Sequence, residues 1–271
     1  MKLPILMTAS VSTRGMKGAC FSPEERERMY IDTLCFYRDE ILCRDKDRRI
    51  VFVENSGWDL ANIRACVEGF GDQVEFISLP PDGFDISRGK GYNEILMINA
   101  ALKVSRFITE AGAFLKVTGR YPVYNIGYFL GKAETFFEDC GGQLYCNMKD
   151  HVLYDVLFFW RKRKWTGHAV GTALFAATSD FYGKILADSY SMCDDSAGRF
   201  VECVWHGILI KYRRTKDRRV CLRFRRTPVC GGVQGSMPQS LMARSNNNGV
   251  RNRVFRVVDS FLRICMPWFW F

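Results

Sequence analysis

A chain of 271 residues that is 48% hydrophobic can bury a sizeable core, and at that length one catalytic α/β unit plus a tail is the default organisation. The 39 Lys and Arg outnumber the 29 Asp and Glu, and the net charge of +10 favours anionic partners: nucleotide diphosphates, anionic lipid or nucleic acid. Eleven cysteines without a CxxC pair argue against a fully paired disulfide framework and for a reducing cytoplasm, and no stretch reaches the about 18 to 20 apolar residues of a spanning helix.

The opening residues, Met1 to Val11, read as a first strand rather than a signal peptide, because Pro4 interrupts the apolar stretch and polarity returns at Ser12. Leu3 to Ala9 is its apolar run. Ser22, Pro23 and Glu25 then predict a helix start: Ser22 caps, Pro23 suits the first helical position and Glu25 completes a capping box. Tyr30, Leu34, Tyr37 and Ile41 form that helix's apolar stripe. A second strand follows from Arg49 to Glu54, a helix from about Asp59 to Phe70, and a third strand from Val74 to Leu79. This alternation predicts a sheet with right-handed crossovers, whose ligands gather at the carboxyl ends of its strands, beside the loops that begin at Ser10, Glu54 and Pro80. One helix is expected over Asn93 to Ala111, stopped by Gly112, and a fourth strand over Phe114 to Val117. Ile126 to Asp139 and Thr172 to Leu186 read as helical, and Arg199 to Trp205 as a strand or a strand-to-helix junction. Lys211 to Arg226 is intensely basic, and Thr227 to Gly249, rich in Gly, Ser, Asn and Pro, reads as a linker or loop.

Two segments concentrate chemistry. In Arg88-Gly89-Lys90-Gly91-Tyr92-Asn93-Glu94, between a strand and a helix, small residues let backbone amides approach phosphate and Asn93 is placed to cap the helix; a plain turn with solvated cations has the same pattern. In Lys116-Val117-Thr118-Gly119-Arg120-Tyr121, strand alternation puts Lys116, Thr118 and Arg120 on one side, where two cations and a hydroxyl suit a diphosphate leaving group. The competing reading of the second segment is an edge strand blunted by charge.

Together the GKGYNE and KVTGRY stretches resemble a family of bacterial glycosyltransferases that build surface polysaccharides, organised like the GT-A nucleotide-sugar transferases. The resemblance covers roughly residues 1 to 210 and includes Val53-Glu54-Asn55-Ser56-Gly57, Tyr154-Asp155 and the stretch from Asp195 to Glu202. It implies an α/β fold with a GT-A-like, Rossmann-type sheet flanked by helices. It also implies that Thr8, Ser10, Asn55, Ser56 and Asp59 lie near the nucleoside, and that Lys90, Asn93, Lys116, Thr118 and Arg120 face the donor diphosphate or sugar. Asn93 departs from the small residue expected there. GT-A enzymes commonly hold a divalent metal on an Asp-x-Asp pair, where this chain has Lys116-Val117-Thr118. Basic side chains are therefore expected to replace the metal, with no cofactor, and Asp194 with Asp195 is the rival metal site. Glu202, flanked by apolar residues, is the first candidate for catalytic base, and Asp155 the second. Of His151, His168 and His206, only Cys203 to His206 has metal-like spacing, and no second ligand pair accompanies it.

Three units are expected: a catalytic domain over 1–210, a basic segment and linker over 211–249, and a tail over 250–271. The tail combines Val250, Val254, Val257, Phe261 and Ile264 at helical spacing with Arg251, Arg253, Arg256 and Arg263, and closes with aromatics that include Trp268 and Trp270. That composition suits an anionic bilayer surface or packing against the core or a dimer partner. The expected activity is transfer of a sugar from a nucleotide-diphosphate donor to a glycan acceptor, lipid-linked, at the cytoplasmic face of the membrane. The alternative is a non-catalytic peripheral protein that binds anionic lipid or nucleic acid through its basic second half, with nucleic acid the less favoured partner.

Overall fold

The computed structural model describes residues 1–16, 19–150 and 167–232, together with 254, 257, 258, 261–263 and 265. Four β-rich runs become the centre of the sheet: β1 (Ile5–Ala9), β2 (Ile50–Glu54), β3 (Val74–Ser78) and β4 (Ala113–Thr118). They are mutually parallel, with Ile5 in register with both Ile50 and Leu115. Three further strands, β5 (Leu144–Tyr145), β8 (Leu174–Thr178) and β9 (Val220–Cys221), complete a seven-stranded sheet in the order β3-β2-β1-β4-β8-β5-β9. Only β8 runs against the others. β6 (Met148–Asp150) and β7 (His168–Val170) form a separate antiparallel pair.

The strand period of two divides the core between the faces of this sheet. Ile5, Met7, Ile50 and Phe52 pack with Leu34, Ile63 and Phe129, which come from α1 (Pro23–Tyr37), α2 (Ala61–Ala65) and α5 (Ile126–Asp139). Leu6, Val51 and Phe114 pack on the opposite face with Ile95, Ile98, Ile108 and Trp205, from α3 (Lys90–Val104), α4 (Arg106–Ala111) and α6 (Val201–Thr215). The chain is thus the expected α/β fold, a mostly parallel sheet flanked by helices. The expected capping box is also present: Ser22 Oγ accepts from the Glu25 amide at 3.2 Å, and Glu25 accepts from the Ser22 amide at 2.7 Å.

Several elements differ from their sequence expectations, each for an identifiable reason. The helix expected over 93–111 is two helices, because Ser105 takes an extended backbone and its hydroxyl caps the second by accepting from the Ile108 amide. Asn93 caps nothing; Gly89 holds the N-cap position of α3, and Asn93 lies inside the first turns. α2 is shorter than expected: after Ala65 the chain tightens into turns, with Val67 and Glu68 donating to the Arg64 and Ala65 carbonyls and Gly69 at φ 88°, while Arg38 donates to the Cys66 carbonyl at 2.6 Å. Thr172 to Leu186 begins as a strand: Phe175, Ala176 and Ala177 fill the slot between β4 and β5, where sheet pairing overrides the helix preference of alanine. Its second part, from Ser179, is helical. Arg199 to Trp205 follows the junction reading and not the strand one: Arg199 bridges to Asp194, and α6 begins at Val201. The edge-strand reading of Lys116 is also excluded, since β4 pairs on both sides. The basic run completes α6 and then returns as β9, and Gly231 is tied to the Pro122 carbonyl at 2.7 Å. Residues 233–249 of the expected linker lie outside the described residues.

Glu54, fully buried at the end of β2, fastens two site loops together. Its carboxylate accepts from the amides of Val11 at 3.1 Å, Ser56 at 2.9 Å and Gly57 at 3.1 Å. Removing it leaves buried donors without an acceptor, so Glu54→Ala is expected to lower stability by about 3 kcal/mol in urea unfolding; a loss well below about 1 kcal/mol would show that water or a neighbour replaces the carboxylate.

Candidate active site

The loops after β1 and β2 leave the sheet side by side because their strands pair in register. Ser10 Oγ donates to Asn55 Oδ1 at 2.6 Å, and the Ser12 amide donates to Ser56 Oγ at 3.0 Å. Beyond them lies a small, partly open cleft with about 20 Å³ of water-sized space, lined by Ser10, Ser12, Asn55, Phe84, Ile86 and Asn93 among others. Asn93 donates through Nδ2 to the carbonyls of Asp85 at 2.8 Å and Gly89 at 2.7 Å, while its buried Oδ1 has no partner among the described residues. That acceptor is sealed from solvent, in the wall of the cleft that Phe84 also lines.

Three cations from separate elements gather next to this cleft. Arg26, buried on α1, donates through Nε to the carbonyls of Ser10 at 2.8 Å and Val11 at 3.0 Å. Lys90 opens α3, and Arg120 follows β4. Burial lowers the pKa of Arg26, and the charge of Arg120 adds to that lowering. Lost solvation also lowers the pKa of Lys90, followed by the fields of Arg120 and Arg26. Arg120 loses solvation too, but the hydroxyls of Tyr30 and Tyr121 outweigh that loss and hold its pKa above the ordinary value. Three mutually repelling cations stabilise an arriving anion by relieving their own repulsion. Gly119 makes the turn possible: a Cβ there would stand 2.8 Å from the Thr8 carbonyl and 3.1 Å from the Tyr30 ring.

The acidic side of the site centres on Lys116, which is fully buried. Its ammonium donates to Glu94 Oε1 at 2.5 Å, Thr118 Oγ1 at 3.1 Å and the Thr172 carbonyl at 2.8 Å, which satisfies its three protons. Thr8 Oγ1 donates to the same Glu94 oxygen at 3.0 Å. Glu202, in the first turn of α6, has its pKa raised by burial and by the charges of Glu94 and Asp195, against a lowering from Lys116. Thr8, Glu94, Lys116 and Thr118 are therefore joined in one network whose charges reach Glu202, whereas Ser10, Asn55 and Asn93 line the cleft and Ser56 braces it. Asp59 stands apart: it is exposed and accepts from the Ala61 amide at 3.0 Å.

Asp194 and Asp195 point to different tasks. Asp194 closes its own turn by accepting from Ser196 Oγ at 2.6 Å and pairs with Arg199 at 3.3 Å. Asp195 accepts from the Lys90 amide at 2.8 Å, so the amide read as a phosphate donor already has a carboxylate. Among the described residues, the group with metal-ligand chemistry is instead Asp150, His168 and His206. Asp155 and the tail residues Arg251, Arg253, Arg256, Trp268 and Trp270 lie outside the described residues.

Sequence reasoning did not assign Arg26, Glu94 or the Asp150 group. Arg26 sits in a Glu-Glu-Arg-Glu-Arg run that reads as a solvated helix face, and Glu94 was within GKGYNE without a role of its own. No spacing links residues 150, 168 and 206.

No protein-family model and no curated protein matches the chain. Among solved structures, a cytidylyltransferase from Leptospira borgpetersenii overlaps 97% of this chain and 94% of its own at 13% identity, with a TM-score of 0.43. The galactosyltransferase LgtC, solved with donor and acceptor sugar analogs, overlaps 81% of this chain and 73% of its own at 12% identity and a TM-score of 0.41. Core-mannan synthase A from Aspergillus fumigatus, in its Mn/GDP form, overlaps 77% and 70% at 10% identity and 0.43. Overlap of that depth carries no argument about chemistry.

The raised pKa of Glu202 has a measurable sign. Its contribution to stability is full below the ordinary value of 4.5 and is lost as pH rises through the higher folded value. Glu202→Gln is therefore expected to melt above the wild type at neutral pH, with the difference closing toward acid; equal melting at neutral pH would mean that the carboxylate is well solvated.

Proposed function

We propose that the chain is a sugar transferase using a nucleotide-diphosphate donor. The observation that carries this reading is the meeting of Arg26, Lys90 and Arg120 at the carboxyl ends of β1 and β4, beside a cleft with an orphaned amide acceptor. In this reading the nucleoside occupies the cleft between Asn55, Phe84 and Asn93, and the three cations neutralise the charge that develops on the departing diphosphate. They take the part that a divalent metal plays in other transferases. Glu202, whose raised pKa favours proton uptake, removes the acceptor hydroxyl proton, while the Glu94–Lys116 pair fixes the wall beside it. The GKGYNE and KVTGRY stretches support sugar as the transferred group.

A lipid-linked glycan at the cytoplasmic membrane surface is the acceptor that best accounts for the tail. Val254, Val257, Val258 and Phe261 recur at helical spacing and are 47 to 69% exposed, while Arg263 turns inward and donates to Asn147 Oδ1 at 2.9 Å. An exposed apolar face on an arginine-rich segment suits the headgroup layer of anionic lipid. No helix among the described residues is long and apolar enough to cross a membrane.

Calorimetric titration with a panel of nucleotide sugars tests the donor claim. One donor is expected to bind equally with and without EDTA, and Lys90→Ala and Arg120→Lys are each expected to weaken it at least about tenfold, or about 1.4 kcal/mol. If no nucleotide sugar binds while anionic lipid or oligonucleotide does, the chain is a binding module instead. Flotation with phosphatidylglycerol vesicles tests the tail: Val257→Asp with Phe261→Asp is expected to remove most of the bound fraction and to leave donor affinity unchanged. Unaltered flotation would assign this face to the core or a partner.

A further inference from the structure

We propose that Asp150, His168 and His206 bind a divalent ion of the zinc class, at a site separate from the donor cleft. Asp150 and His168 are direct partners in the β6–β7 ladder, which places both side chains on one face of the hairpin. α6 packs across that hairpin and brings His206 over it. His168 Nδ1 lies 2.5 Å and His206 Nε2 3.3 Å from the same oxygen, Asp150 Oδ1, and the three ligand atoms fall within 4.8 Å of one another. The imidazole centroids are 5.1 Å apart. Two imidazoles from different elements at one carboxylate gather three ligand groups where small side-chain shifts, giving up these hydrogen bonds, would let one ion take the space between them.

The surrounding groups agree with that assignment. Arg213, two turns after His206 on α6, pairs with Asp150 Oδ2 and so leaves Oδ1 as the single coordinating atom. Such an outer hydrogen bond is the usual means of orienting a coordinating carboxylate, while its positive charge moderates affinity. Two imidazole nitrogens and one carboxylate oxygen suit zinc, cobalt, nickel or iron better than magnesium or calcium, which favour all-oxygen ligands. Side-chain exposures of 6% for Asp150, 14% for His206 and 25% for His168 leave one side accessible. Three protein ligands with an accessible side leave a fourth position for water or a ligand oxygen.

His206 lies one turn along α6 from Glu202. The inference nevertheless does not rest on the transferase reading, and its test does not use turnover. Full-length protein, stripped of metal and with its exposed cysteines alkylated, is titrated with Co²⁺ and then Zn²⁺. One equivalent of Co²⁺ is expected, with visible d–d bands, no thiolate charge-transfer band and a rise in melting temperature, and Zn²⁺ should displace it. His168→Asn and His206→Gln, which keep hydrogen-bonding groups in place, should each abolish saturable binding, whereas Lys90→Ala should bind as the wild type does. Absence of binding to the wild type, binding that persists in both histidine variants, or a thiolate band would each overturn the site. Circular dichroism confirms that the variants are folded; if either is unfolded, the wild-type stoichiometry and the spectral ligand signature decide.

Discussion

A fully buried ammonium in the middle of the sheet is the constraint around which the rest of the site is arranged. Removing a lysine from water costs several kcal/mol unless its charge and all its protons are matched. Lys116 meets that demand with a carboxylate from α3, a hydroxyl from its own strand and a carbonyl from the segment that enters β8. Those partners are far apart in the chain, so satisfying one side chain fixes where α3, β4 and β8 stand relative to one another. Thr8 extends the arrangement to β1 through the same Glu94 oxygen. The site wall is therefore held by a network whose members cannot be exchanged singly without stranding another.

The glycines around Lys90 serve packing more than anion capture. Gly89 has φ 93°, a left-handed conformation, and a Cβ there would stand 2.2 Å from the Asp195 carboxylate. A Cβ on Gly91 would stand 2.7 Å from the Val201 side chain at the start of α6. The two small residues let α3 and α6 close on each other, which brings Glu202 close enough to feel the charge of Glu94. Phosphate-loop logic and close-packing logic select the same residue, and the sequence pattern alone does not separate them.

Legibility followed the strength of local signals. β1 to β4, α1 and α5 were readable because apolar periodicity, a capping box and glycine stops agree over whole elements. β5, β6, β7 and β9 have two or three residues each, too few to show a period, and exist because a sheet edge or a hairpin partner receives them. The strand in Leu174–Thr178 was hidden by alanines whose placement is decided by neighbours far earlier in the chain, such as Leu115 opposite Ala176. Within the site, Lys116 and Arg120 stood out because cations at a strand end are unusual. Arg26 did not, since only its burial separates it from the solvated charges around it. Asp150, His168 and His206 became a group only through hairpin register and helix packing, neither of which leaves a spacing to read.

The reversal of β8 has a consequence for how such a protein can diverge. Because Val117 at the end of β4 stands opposite Leu174 at the start of β8, the segment before β8 arrives on the same rim as the loops that follow β1, β2 and β4. The cleft and its cations come from the first 120 residues, while Thr172, Asp195 and Glu202 come from beyond residue 170. One rim is therefore inherited in two separate stretches of chain, joined physically at Lys116 and at the Asp195–Lys90 contact. Drift or recombination in the later stretch can reshape one flank while the other is conserved, and contacts that cross the seam, these two among them, are where compensating changes should accumulate.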